Sequence, residues 1–227
     1  SISLKNISIS IDGVKSNEFD IELEGVTWHL DNFTLSQRLL SPNSLSFIMH
    51  REPKEDDING DIFAICRQII GKEITILLRT EIINPYEHER QDKTDDINYR
   101  GVILSASCSR SKTEYYINVV SESWETLLND NANCKSFEGM TLNDIIADVV
   151  DDYTGHLDTE IDSRHTETIP YCVQYNETNY QFLVRLARRY GEWMYNTGEE
   201  LVFGNLPQGG HGNSGAGECE AQYRDRV

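Results

Sequence analysis

Apolar residues in the first half of the chain recur at every second position, in runs too short for helices. Ile7-Ser8-Ile9-Ser10-Ile11 is the clearest case, and it ends in Asp12-Gly13, a pair that accepts the positive φ angles of a tight hairpin turn. Phe19, Ile21 and Leu23 alternate again and read as the returning strand. Val26–Leu30, Phe33–Leu35, Leu45–Met49, Ile74–Leu78, Val102–Ala106 and Tyr115–Val119 supply further short strands, separated by Gly, Pro, Asn and Asp. So many strands without interleaved helices predict a mainly β protein with antiparallel barrel-like domains, not a parallel α/β sheet. Two polar stretches, Arg51–Gly60 and Asn84–Asn98, are expected to be solvated loops.

The pattern changes after Val120, giving α+β insertions in which short helices brace the barrel. Ser123–Leu128 predicts a short helix. Thr141 opens a second, with Leu142, Ile145, Ile146, Val149, Val150 and Tyr153 on one face and Gly155 placed to end it. The third helix is the most strongly specified. Thr178 and Gln181 have capping-box spacing, Phe182, Leu183, Leu186, Ala187 and Tyr190 form its apolar stripe, and Gly191 stops it. Arg185, Arg188 and Arg189 are expected on its solvated face near the helix C-terminus, where cations are favourable. Trp193–Tyr195 and Leu201–Phe203 flank Thr197-Gly198 as a hairpin, and the glycine-rich stretch 209–217 is expected to be a flexible linker. The segments are therefore 1–120, a first barrel-like domain; 121–172, a helical α+β insertion; and 173–227, the capped helix with strands returning to the barrel.

Charge and motif content narrow the function. The 227 residues carry 38 acidic and 20 basic side chains, and a net charge of -18 opposes nucleic acid and anionic lipid. No apolar run approaches the roughly 20 residues of a spanning helix, and the N-terminal residues lack the layout of a signal peptide. Five cysteines, Cys66, Cys108, Cys134, Cys172 and Cys219, are widely spaced. They read as reduced thiols, with Cys66 and Cys108 as small hydrophobes in strand-like runs. The six histidines have no zinc-site spacing, and Glu55–Gly60 only partly matches a calcium loop, with Cys66 where the final Glu would stand. No nucleophile elbow or phosphate loop is present. No catalytic residue, cofactor or metal is expected.

The segment Tyr175-Asn176-Glu177-Thr178, leading into Gln181-Phe182-Leu183-Val184-Arg185-Leu186 and then Gly191, resembles the hub region of VgrG-type spike proteins of type VI secretion. Trp124–Leu128, Phe137 and Thr141–Ile146 are similar to that family's upstream pattern in order and spacing. Ile69-Ile70-Gly71-Lys72 before Ile74–Leu78, and Arg100-Gly101-Val102-Ile103, look like its barrel strands, so the likeness covers most of positions 60–204. The hub region of that family is in turn similar to the baseplate hub of contractile-tailed phages. The resemblance implies a structural hub, a homotrimer whose barrels form a pseudo-sixfold ring on a hexameric Hcp-like tube, with baseplate and effector proteins as further partners. It also implies synthesis in the bacterial cytoplasm, assembly at the baseplate and delivery with the tube. A complete spike continues into a further barrel and a β-needle, neither of which is evident here. The competing readings are a tail-associated peptidoglycan hydrolase and a solitary β-rich binding module.

Overall fold

The computed structural model describes residues 2–16, 19–54, 59–82, 94–204 and 219–224. Strands dominate. A nine-stranded sheet is built from β1 (Ile2–Ile11), β2 (Val14–Lys15), β3 (Asp20–Leu23), β4 (Val26–Gln37), β5 (Ser44–Arg51), β6 (Glu73–Ile82), β7 (Thr94–Arg110), β8 (Tyr115–Ser123) and, after the rest of the fold, β14 (Cys219–Arg224). All its pairings are antiparallel, in the order β14-β4-β5-β8-β7-β6-β1-β2, with β3 on the edge of β4 that β14 also lines. β2 touches β3, so the two ends of the sheet approach each other and the barrel is nearly closed.

Each strand turns one face inward, as period-two alternation requires. Ile7, Ile9, Ile11, Trp28, Leu30, Phe33, Leu35, Leu45, Phe47, Met49, Ile74, Ile76, Leu78, Tyr99, Ile117 and Val119 fill one apolar cluster. The Asp12-Gly13 turn has positive φ at both residues (52° and 81°), the geometry read from the sequence. Its returning strand is only the two residues of β2. Phe19 precedes β3, and β3 pairs with β4 rather than with β1.

Two bulges explain where the alternation misleads. The register shifts at Asp31, so the buried positions of β4 pass from Trp28 and Leu30 to Phe33, Leu35 and Gln37. What reads as two strands, Val26–Leu30 and Phe33–Leu35, is one continuous ladder. A second shift at Leu104 moves the inner face of β7 from Tyr99, Gly101 and Ile103 to Ala106 and Cys108.

The two expected polar loops also need correction. Thr94–Asn98 is the start of β7: Asp96 faces outward against Arg79 at 3.1 Å, and Asn98 carries contacts described below. Residues 84–93 lie outside the described residues. Arg51 is a buried strand residue whose guanidinium lies over the Trp28 and Tyr115 rings. At the far end of that first stretch, Asn59 and Gly60 open a helix, α1 (Asn59–Ile69), while residues 55–58 lie outside the described residues. Cys66 therefore sits on a helix, not a strand. The signal was Ile62, Ile65, Cys66 and Ile69, spaced i, i+3, i+4, i+7, which together fill part of the barrel cluster.

A second apolar cluster gathers the rest. A 3-10 helix (Trp124–Asn129), β9 (Ala132–Met140), α2 (Leu142–Val150), a short 3-10 turn (Asp151–Tyr153), β10 (Thr159–Asp162), β11 (Ile169–Thr178), α3 (Asn179–Tyr190), β12 (Trp193–Asn196) and β13 (Leu201–Gly204) pack around Phe182, Leu183, Leu186, Ile145, Ile146 and Phe203. β9 and β11 form an antiparallel ribbon, and β10, β13 and β12 a small mixed sheet. α2 ends at Asp151, still right-handed, and continues into the 3-10 turn, so Gly155 is not its cap. The stretch 209–217 lies outside the described residues; beyond it β14 returns to pair with Asn32–Gln37 of β4.

Candidate assembly site at the barrel junction

The motif residues separate by role once they are placed. Thr178 has an extended backbone and caps α3: its hydroxyl accepts from the Gln181 backbone N–H and donates to Asn129 Oδ1, both at 3.1 Å, while Gln181 Oε1 accepts from the Thr178 N–H. Gly191 ends the helix in the left-handed region (φ 68°), which L side chains disfavour. Phe182, Leu183 and Leu186 are completely buried, with the Phe182 ring stacked on Phe137 at 5.6 Å. Glu177 pairs with Arg185, whose Nε lies 3.1 Å from both carboxylate oxygens and whose guanidinium also donates to the Val173 carbonyl. Arg185 is thus a half-buried tie from α3 to β11, whereas Arg188 and Arg189 are exposed as expected. Asn176 has positive φ (48°) at the β9–β11 register shift. Tyr175 points outward and at 79% is the most exposed large hydrophobic side chain among the described residues. Thr141 caps α2 in a capping box with Asp144.

Trp124 belongs to the seam between the two clusters. Its indole N–H donates to Glu73 Oε2 on β6 at 3.1 Å, and its ring stacks on His156 at 4.7 Å. Arg100 of β7 donates to the same Glu73 oxygen at 2.9 Å and to Asp158 at 2.6 Å, joining barrel to small sheet.

Beside it runs a buried polar chain that sequence reading missed. Asn43 and Ser123 exchange hydrogen bonds at 2.8 and 2.9 Å, Asn43 Nδ2 donates to the Asn196 carbonyl at 3.3 Å, and Asn196 Nδ2 donates to Glu125 Oε2 at 2.7 Å. Glu125 is 1% exposed. Farther along, Gln37 donates to the Asn98 carbonyl at 3.2 Å and Asn98 to Glu199 at 3.0 Å. Gly198 lies directly against Asn98: a Cβ there would meet the Asn98 carbonyl oxygen at 1.9 Å. Asn43, Ser123 and Gln37 hold inward positions of the β5, β8 and β4 alternation with polar side chains, so only tertiary contact reveals what they bind. Asn179, which bonds Gln174, Asn133 and Tyr153, is another such node.

Burial pushes the Glu125 carboxyl above its usual range, against hydrogen bonds from Ser123, Asn196 and backbone groups that favour the charged form. The folded chain therefore holds this proton more tightly than the unfolded one. The associated stability is complete below the ordinary carboxylate pKa and is lost as pH rises through the folded value. Glu125→Gln cannot ionise. In urea titrations its stability relative to wild type is expected to improve as pH rises above the ordinary carboxylate pKa; a gap independent of pH would contradict a raised Glu125.

The outer surface carries apolar groups away from this seam. Tyr171 and Tyr175 stand on the outer side of β11, Leu104 and Val120 lie on adjoining strands at the β7 bulge, and Phe63 and Ile70 flank α1. Among the described residues, no group of three or more His, Cys, Asp or Glu side chains is placed to hold a metal ion, and no helix is long and apolar enough to cross a membrane.

This combination of a nearly closed antiparallel barrel and a capped-helix lobe occurs in solved tail proteins. The 43 kDa tail protein of prophage MuSo2 from Shewanella oneidensis matches with a TM-score of 0.60 at 14% identity, over 88% of this chain and 54% of that one. A tail protein from Neisseria meningitidis matches at 0.59 and 14%, over 87% and 49%. The Escherichia coli c3393 protein, a component of the type VI secretion system with structural similarity to T4 tail proteins gp27 and gp5, matches at 0.55 and 15%, over 86% and 48%. The chain thus spans about half the length of these proteins, and at such identities the likeness concerns fold. No curated protein matches it. The sequence itself matches the phage tail baseplate hub (GPD) family over residues 63–224, a span that takes in most of α1, the barrel strands β6, β7, β8 and β14 and the second cluster, and the chain belongs to that family.

Proposed function

We propose that the protein is a structural hub component of a contractile injection apparatus, of phage-tail or type VI secretion type, that works by fitting other subunits rather than by turnover. The observation that carries this reading is the family match across residues 63–224. The fold is consistent with the role. Two apolar clusters, Ile7–Val119 and Val102–Phe203, are tied by the Asn43–Asn196 and Trp124–Glu73 hydrogen bonds and the Arg100–Asp158 ion pair, as a part that transmits force requires. We take 1–120, 121–172 and 173–227 as the working division, with the third segment rejoining the first through β14.

In this proposal three chains close a ring, its barrels supply repeated edges to a hexameric Hcp-like tube, and baseplate and effector proteins attach around it. A threefold object can meet a sixfold one only if each protomer offers two similar units. The described residues form one nearly closed barrel, and the chain spans about half the length of its structural relatives. The protein would be made in the bacterial cytoplasm and leave with the tube. The test is mass by light scattering at about 100 μM, where mass action favours assembly. Three chains per particle are expected. A single-chain mass at that concentration would overturn the trimer.

A further inference from the structure

A lateral row of polar side chains crosses the outer wall of the barrel. Paired positions on four neighbouring strands set Asp20 of β3 beside His29 of β4, His29 beside His50 of β5, and His50 beside Tyr116 of β8. The row faces away from the apolar cluster, which the adjacent residues Ile21, Trp28, Met49 and Tyr115 help to fill. His29 and His50 lie 21 positions apart, so no helical or loop spacing announces them in the sequence, yet their ring centres are 5.8 Å apart. The His29 Nδ1–H donates to Asp20 Oδ1 at 2.6 Å, which fixes the tautomer and leaves the Nε2 lone pair open. On His50, Nδ1 is buried without a hydrogen-bond partner among the described residues, and Nε2 lies 3.9 Å from Glu114 Oε1, beyond hydrogen-bond reach. Glu114 also accepts from the Tyr116 hydroxyl, so a carboxylate flanks the two imidazoles on either side and favours a cation between them.

We propose that His29 and His50 chelate a late first-row divalent cation, of the nickel, copper or zinc class, across β4 and β5. Neutral imidazole nitrogen is a ligand type that suits all three ions. A metal held by both rings at about 2.1 Å puts their centres roughly 5–6.5 Å apart, depending on the angle at the metal, and the spacing in the barrel wall already falls in that range. Asp20 stands behind His29 as carboxylates stand behind metal-bound imidazoles, orienting the ring and raising its basicity. Two protein ligands leave the other coordination positions to water, in keeping with the lack of any three-ligand group among the described residues. The site is therefore an exchangeable surface chelate that staples neighbouring strands, not a closed structural centre.

The test is calorimetric titration of the protein with nickel(II) at about pH 7.5, where imidazole is mostly unprotonated. Nickel is chosen because the exposed Cys134 thiol competes more strongly for copper and zinc. Saturable binding is expected for the wild type, lost in His29→Gln and in His50→Gln, weakened about tenfold or more in Asp20→Asn, and unchanged in His156→Gln and Cys134→Ser. Nickel should likewise raise the melting temperature of the wild type and not that of the His29→Gln and His50→Gln chains, whose own melting in the absence of metal reports that they fold. No saturable binding by the wild type, or binding that survives in either His29→Gln or His50→Gln, would overturn the chelate.

Discussion

Phe182→Ala is expected to lower unfolding free energy by about 3–5 kcal/mol, read as a shifted urea midpoint. The side chain is fully buried, its ring stacks on Phe137 of β9, and it shares a cluster with Leu183, Leu186, Ile145 and Ile146. Both ends of α3 are fixed, by the Thr178–Gln181 box and by Gly191, and Arg185 binds its middle to β11. The helix cannot slide to refill the space, so a cavity persists. Arg188→Ala, on the exposed face, should change stability by less than about 0.5 kcal/mol. A comparable small effect for Phe182→Ala would mean that α3 does not organise the second cluster.

Gly198→Ala is expected to cost about 2–5 kcal/mol and, more tellingly, to separate the two clusters in unfolding. Gly198 has φ 102°, a conformation that side chains rarely adopt, and the added methyl would strike the backbone carbonyl of Asn98. That obstacle is a strand of the barrel and cannot rotate away. The β12–β13 turn must then lift, taking with it the Asn98–Glu199 bond and straining the Asn196 link to Glu125. Thermal unfolding should change from one transition to two. A single transition at the wild-type temperature would show that the seam does not depend on this contact.

The fold was legible where local rules act alone. Period-two runs, the Asp12-Gly13 turn and the α3 cap each depend on neighbours within a few residues. The reading failed where tertiary structure resets the pattern. The Asp31 bulge flips the inward face of β4 and makes one strand look like two. β7 begins among acidic residues because Asp96 faces outward to Arg79, and Tyr99 is the first fully buried side chain among its described residues. α1 was hidden by its polar N-terminal flank, although its four-residue stripe was present. The motif residues fared unevenly: those on α3 and in its cap follow helical spacing, whereas the seam residues Asn98, Glu125 and Asn196 follow no apolar period and Asn43 puts a polar side chain at an inward position of one. Polar groups buried by one long-range contact each leave no such trace.

The central claim is that this barrel and its braced lobe are one unit of a ring that seats on a tube. Electron microscopy of the protein mixed with a hexameric tube protein of the same apparatus tests it most directly. The account predicts a particle with threefold symmetry, found only at tube ends. Single chains scattered along the tube wall, or no association with the tube, would contradict it.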